Sequence, residues 1–208
     1  MKNKKTKILD IILPSKKTNY FIVTVLVLGI ISGSIFLIMI SDADKTSTIN
    51  QIKTFFDNIA TNSINNGLAL KNSLIINYIF VLVIWILGFS LIGIILNIFL
   101  VYIKGFILGF SISSIVATYN YKAIPAAILY VFPQQIINII VICVLGIYSI
   151  MFTKNIFIII INKKNRPKLM LKKYFIILLI AIILSFISSL LEVYIFPNLL
   201  KLIISLYK

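Results

Sequence analysis

Five carboxylates, one thiol and no histidine limit the chemistry open to this chain before any element is placed. Without histidine there is no Ser-His-Asp triad, no HExxH zinc site and no imidazole base. Cys143 is the single thiol and lies in an apolar run, so it has no partner for an internal disulfide or a cysteine-built metal cluster. Neither a GxGD sequence nor a GxxxxGK[ST] phosphate loop occurs. Asp42, Asp44 and Asp57 could supply a carboxylate pair of the kind a sugar hydrolase uses. Their polar segment is only roughly thirty residues, too short to build a substrate cleft, and solvated loop charges are the simpler reading. The sequence therefore predicts no catalytic residue, no metal and no cofactor.

The remaining polar candidates sit where water is scarce. Phe132-Pro133-Gln134-Gln135 lies inside a run from Ala123 to Phe152 that carries no charge, and Asn138 follows one turn later. A proline that cannot donate and side-chain amides that must be paired are costly in hydrocarbon, so they should face protein or a cavity. Broken helices with mid-depth polar groups line transporter paths. Hydrogen bonding between helices is the commoner use, and no second broken run answers this one. Glu192 faces the same choice between ion handling and a packing or partner contact.

The elements that position these groups are membrane spans. Of 208 residues, 61% are hydrophobic, and the mean hydropathy is +1.10. That excludes a soluble domain and predicts an all-α, polytopic membrane helical bundle. The net charge of +15 sits in patches beside apolar segments, with no aromatic recognition motif. It is read as topology determinants and lipid headgroup contacts, not as a nucleic-acid surface. No small-molecule substrate is expected.

In chain order, residues 1–19 form a basic tail and residues 20–208 one membrane domain. Spans are predicted near 20–40, 74–101, 103–119, 123–151 and 174–192. The first is an uncleaved anchor, since a signal peptide's apolar region is only about 7–15 residues. Gly29 and Gly33 form a GxxxG there, and Gly105 and Gly109 form a second. Both suit close helix approach within the chain. The segment 41–73 is a loop in which Thr48 and Gln51 could cap a short helix, with Ile49, Ile52, Phe56 and Ile59 as its apolar stripe. The run 74–103 exceeds one span and is ended by Lys104-Gly105. The segment 103–119 either crosses, with Lys104 snorkelling to the interface, or re-enters. The run 123–152, about 45 Å as a helix, predicts a break at Pro133. Ala181, Ser185 and Ser189 make a small-residue face on the last span, with Glu192 close to it.

Charge sets the orientation. The leader, Lys104 and the 153–173 loop hold 14 of 20 cations, whereas the other regions hold four of the five acids. The positive-inside rule then puts the N-terminus and the 153–173 loop inside and the 41–73 loop outside. Lys104 and the 153–173 loop share a side, so two crossings between them give the five spans predicted above. A re-entrant hairpin there would give three, either way with an external C-terminus.

Trp85-Ile86-Leu87-Gly88, Ile103-Lys104-Gly105-Phe106, Phe132-Pro133-Gln134-Gln135 and Leu191-Glu192-Val193-Tyr194 before Pro197 occur in that order. In order and spacing the chain resembles stage II sporulation protein M along nearly its whole length. The second glutamine of the Pro-Gln pair stands where the family has asparagine. The resemblance implies a multi-pass cell-membrane protein of endospore-forming bacteria, placed at the sporulation septum and the engulfing mother-cell membrane. It implies partnership with stage II sporulation proteins D and P, enzymes that degrade septal peptidoglycan, for which this family is the membrane scaffold. Against that stands a small transporter or channel component built on Pro133 and Glu192.

Overall fold

A computed structural model describes residues 15–61, 63, 65–119, 124–162 and 167–198, with side chains described for all of these except 60, 124–134, 160–162 and 167–169. Its described residues form six α-helices and no strand: α1 (Lys16–Met39), α2 (Asp42–Ala60), α3 (Asn66–Leu87), α4 (Ile92–Tyr119), α5 (Ile124–Asn162) and α6 (Pro167–Leu190). A short π-helical segment, Leu191–Ile195, continues α6. Five helices are long and apolar enough to cross a membrane. The all-α, five-span reading of the sequence therefore holds.

The helix ends follow local chemistry. Ser15 caps α1 by accepting from the Thr18 amide, and Asn65 caps α3 by accepting from the Leu68 amide. Pro167 opens α6 at the first-turn position where a missing N–H costs nothing. In α2 the cap is Ser41, not Thr48. Its hydroxyl accepts from the Asp44 amide and donates to the Asp44 carboxylate at 2.6 Å. Asp42 and Asp44 then occupy the first turn, where negative charge favours a helix start. Thr48 instead bonds back to the Asp44 carbonyl. Most of the predicted 41–73 loop is thus helix.

Two span boundaries differ from those predicted. The chain breaks at Gly88–Leu91 and not between 101 and 103, so the third span is Asn66–Leu87 and the fourth begins at Ile92. The fourth helix is 28 residues, about 42 Å, one uninterrupted element long enough to cross. Lys104 consequently sits in the middle of α4, where the sequence placed a flanking cation. The predicted break at Pro133 is also absent, because α5 is helical without interruption for 39 residues. A membrane helix tolerates proline where neighbouring helices, side chains or local helical adjustment satisfy the carbonyl it frees.

Packing fixes the alternation of direction. Gly29 and Gly33 of α1 lie against Gly105 and Phe106 of α4, and Gly109 lies against Ile30, so these two helices run parallel. A Cβ at Gly29 would overlap the Tyr102 carbonyl oxygen, and one at Gly109 would overlap that of Ile30. Close backbone approach needs glycine on both sides. Ser32 and Tyr102 share a hydroxyl hydrogen bond of 2.7 Å across the same seam. Ile22, Leu26, Val81, Ile84, Val101, Val141 and Leu145 form the main core. Phe56 and Ile59 of α2 pack with Leu108 and Ile115 of α4 in a second cluster at the other end of the bundle from Gly88. The stripe read from the sequence therefore packs on neighbouring spans.

Candidate functional site

The buried polar side chains gather in two layers, separated along α3 by about 18 Å of helix. One layer surrounds the Gly88–Leu91 turn. Trp85 and Tyr174 stack at 5.6 Å, and Phe152 stacks on Tyr174 at 4.1 Å. The Trp85 indole donates to the Tyr174 carbonyl at 3.3 Å, and the Tyr174 hydroxyl donates to the Trp85 carbonyl at 2.8 Å. Thr153 donates to the Gly88 carbonyl at 2.6 Å, and Ser149 to the Ile84 carbonyl at 3.0 Å. Asn97 in turn donates to the Ser149 hydroxyl at 2.5 Å.

These bonds explain the turn. The last carbonyls of α3 have no partner within their helix, and α5 and α6 supply hydroxyls to them from far along the chain. A side chain at Gly88 would overlap the Tyr174 hydroxyl, which is why this position carries none. Trp85 and Gly88 are thus structural parts of a clamp on three helices.

The second layer holds the charges. Lys104 is only 5% exposed, and its ammonium lies 5.0 Å from the centre of the Phe80 ring. A desolvated cation over an aromatic face gains up to about 2 kcal/mol, which offsets part of its burial cost. Glu192 supplies the opposite charge that Lys104 feels through space. The Glu192 carboxylate accepts a 2.6 Å hydrogen bond from Ser73, and Ser73 also lies 3.0 Å from Ser189. Asn77 donates to Ser189 at 3.0 Å.

The π-helical turn is what aims Glu192 here. A wider turn at Leu191–Ile195 shifts the residues beyond Ser189 relative to a regular helix, and such turns recur at functional positions. Tyr194 is exposed, and Pro197 follows at the end of the same helix. The Ala181, Ser185 and Ser189 face is buried, with Ser189 acting as the hydrogen-bonding contact to α3.

Toward the α2 end a cleft of about 530 Å³ opens between α2, α4, α5 and the π segment. Gln135 and Glu192 both line it, as do Ser111 and Ser114 of α4. Ser114 is 1% exposed, yet its hydroxyl has no hydrogen-bond partner. Asn138 is buried one turn from Gln135, and its amide oxygen is likewise unpartnered. Pro133 lies in the helical backbone of α5, and the Gln134 side chain falls outside the described residues. Among the described residues, no three His, Cys, Asp or Glu side chains converge as a metal site would require.

The structure thus joins Gln135 to Glu192 through the cleft, and Lys104 to Glu192 through charge. It keeps Trp85 and Gly88 apart, at the turn layer. Sequence reasoning missed Ser73, Asn77, Ser149, Thr153 and Tyr174 as polar partners. The signal available was modest: lone amides at Asn77 and Asn97 in otherwise apolar helices, and two hydroxyls four residues apart at Ser149 and Thr153.

No curated protein and no solved structure matches the chain. A family model described as stage II sporulation protein M does match, over residues 22–197. The match runs from the first span through both polar layers to Pro197, and the chain belongs to the stage II sporulation protein M family.

Proposed function

We propose that this sporulation membrane protein acts in forespore engulfment as a non-enzymatic scaffold. It holds septal peptidoglycan-degrading enzymes, stage II sporulation proteins D and P, on the outer face of the sporulation septum and the engulfing mother-cell membrane. The observation that carries this reading is the build of α2. Phe56 and Ile59 fasten one face of that helix to the bundle, and Asn50, Lys53 and Asp57 stay exposed on the rest. A helix anchored along one side and polar along the other suits protein docking. Rigid hydrogen bonding between the spans gives it a fixed base.

The orientation belongs to the same proposal, with the N-terminus inside and α2 and the C-terminus outside. Lys104 no longer contributes to the charge count, but the leader and the 153–173 segment still hold 13 of 20 cations. Cysteines at Asn50 and Asn165, in a background lacking Cys143, will label from outside and inside respectively. External labelling at Asn165 overturns the orientation.

Affinity purification from sporulating cells tests the scaffold. The intact protein will bring down both enzymes, and reversing charge on the exposed face with Lys53→Glu and Asp57→Lys will lose at least one at unchanged protein level. Normal engulfment in a deletion strain refutes the reading. The cleft beside Glu192 favours a second reading, a small transporter or channel component. Solute flux through reconstituted protein that disappears in Glu192→Gln and Gln135→Leu would select it over the scaffold.

A further inference from the structure

We infer that the cleft beneath α2 is a binding site for an organic ammonium, presented by an aminated phospholipid headgroup of the outer leaflet. Three features of its lining converge on that chemistry. Glu192 supplies a carboxylate, and the one side-chain hydrogen bond it accepts among the described residues, from Ser73, leaves acceptor capacity for another donor. Ser114, with its buried and unpartnered hydroxyl, adds a second acceptor, and the Gln135 amide a third polar group. Phe55, Phe56 and Phe110 bring aromatic rings to the same wall. A carboxylate with hydroxyls accepts the N–H donors of a primary ammonium, and rings beside it add cation–π attraction.

Charge and size agree. Glu192 is the charged side chain of the lining, and among the described residues no lysine lines the cleft, in a chain of net charge +15. An anionic headgroup would be repelled here and drawn to the basic end instead. The cleft's roughly 530 Å³ falls within the range of small-ligand sites, and it opens beside an amphipathic helix of the kind that lies at headgroup depth. The assignment to the outer leaflet rests on the proposed orientation, whereas the chemistry of the lining does not depend on the scaffold reading.

The test uses the full chain in nanodiscs of phosphatidylethanolamine and phosphatidylglycerol in equal amounts, with retained lipids counted by native mass spectrometry. The wild type should retain phosphatidylethanolamine over phosphatidylglycerol by about tenfold. Glu192→Gln removes the charge, and Ser111→Leu fills the cleft while leaving Glu192 and Ser73 in place; both should bring the ratio near unity. A Ser111→Leu protein that melts like the wild type shows that its loss is not unfolding. Equal retention by the wild type overturns the proposal, and so does a preference undiminished in both variants. Displacement of the lipid by free ethanolamine assigns recognition to the amine itself. Retention that ethanolamine does not disturb assigns it to the headgroup held with its acyl chains.

Discussion

Gly33→Ala tests whether the seam between α1 and α4 is set by backbone contact. The added methyl would lie 2.8 Å from the Phe106 carbonyl carbon and 3.0 Å from its Cα, and would overlap its carbonyl oxygen. These are main-chain atoms inside a regular helix, so none can swing aside. The helices must part, and overpacking of this kind costs about 1–3 kcal/mol. Alanine regains about 0.8–1 kcal/mol of helix propensity, which leaves a net loss of up to about 2 kcal/mol. Gly146→Ala is the matched control. Its methyl meets only the flexible Cγ2 of Val101 at 3.4 Å, so the propensity gain is kept and the variant should be at least as stable as wild type. Cys143, the single thiol, packs half-buried against the main core and reports melting through a thiol-reactive dye in detergent. For a chain of this size the net loss lowers Tm by up to about 8 °C. The double variant Gly33→Ala/Gly109→Ala should lose less than the sum of the singles, because helices already parted by one methyl accommodate the next. A Gly33→Ala protein melting at or above Gly146→Ala refutes the close-contact seam.

Two further variants probe the polar layers by the same melting assay. Ser149→Ala strips the donor to the Ile84 carbonyl and leaves the buried Asn97 amide without its partner; it should cost about 1–3 kcal/mol. Thermal stability equal to wild type would show that this layer contributes nothing. Lys104→Met and Glu192→Gln each remove one of two opposite charges that act on each other without a direct ion pair. Each single change should destabilise by more than half of what the double variant loses. The double variant should therefore recover stability relative to the sum, with a coupling of about 0.5–3 kcal/mol, whereas strict additivity would mean the two charges act independently.

Much of the architecture is legible in the chain because a bilayer permits few solutions. Backbone groups in hydrocarbon must be paired within a helix, so long apolar runs become spans whatever their neighbours do. That gave five helices, the amphipathic stripe of Phe56 and Ile59, and two GxxxG motifs facing each other within the chain. The Ala181, Ser185 and Ser189 face was readable for the same reason, since small residues every fourth position mark a packing side.

Where a long run divides was not readable. Leu74 to Ile103 is continuously apolar, and Lys104 looked like its natural end. The division falls instead at Gly88 because Ser149, Thr153 and Tyr174, brought from later helices, hydrogen-bond the last carbonyls of α3. That shift of some fifteen residues moves Lys104 from a membrane flank to mid-depth, against Phe80 and within the field of Glu192. Pro133 shows the converse, a residue whose local rule predicts a break where the helix in fact continues. Sequence alone determined that this chain spans a membrane five times, since hydrophobic length is a local property. Which polar groups meet at mid-depth was decided by tertiary structure, since hydrogen bonds between helices join residues up to 119 positions apart that no local pattern connects.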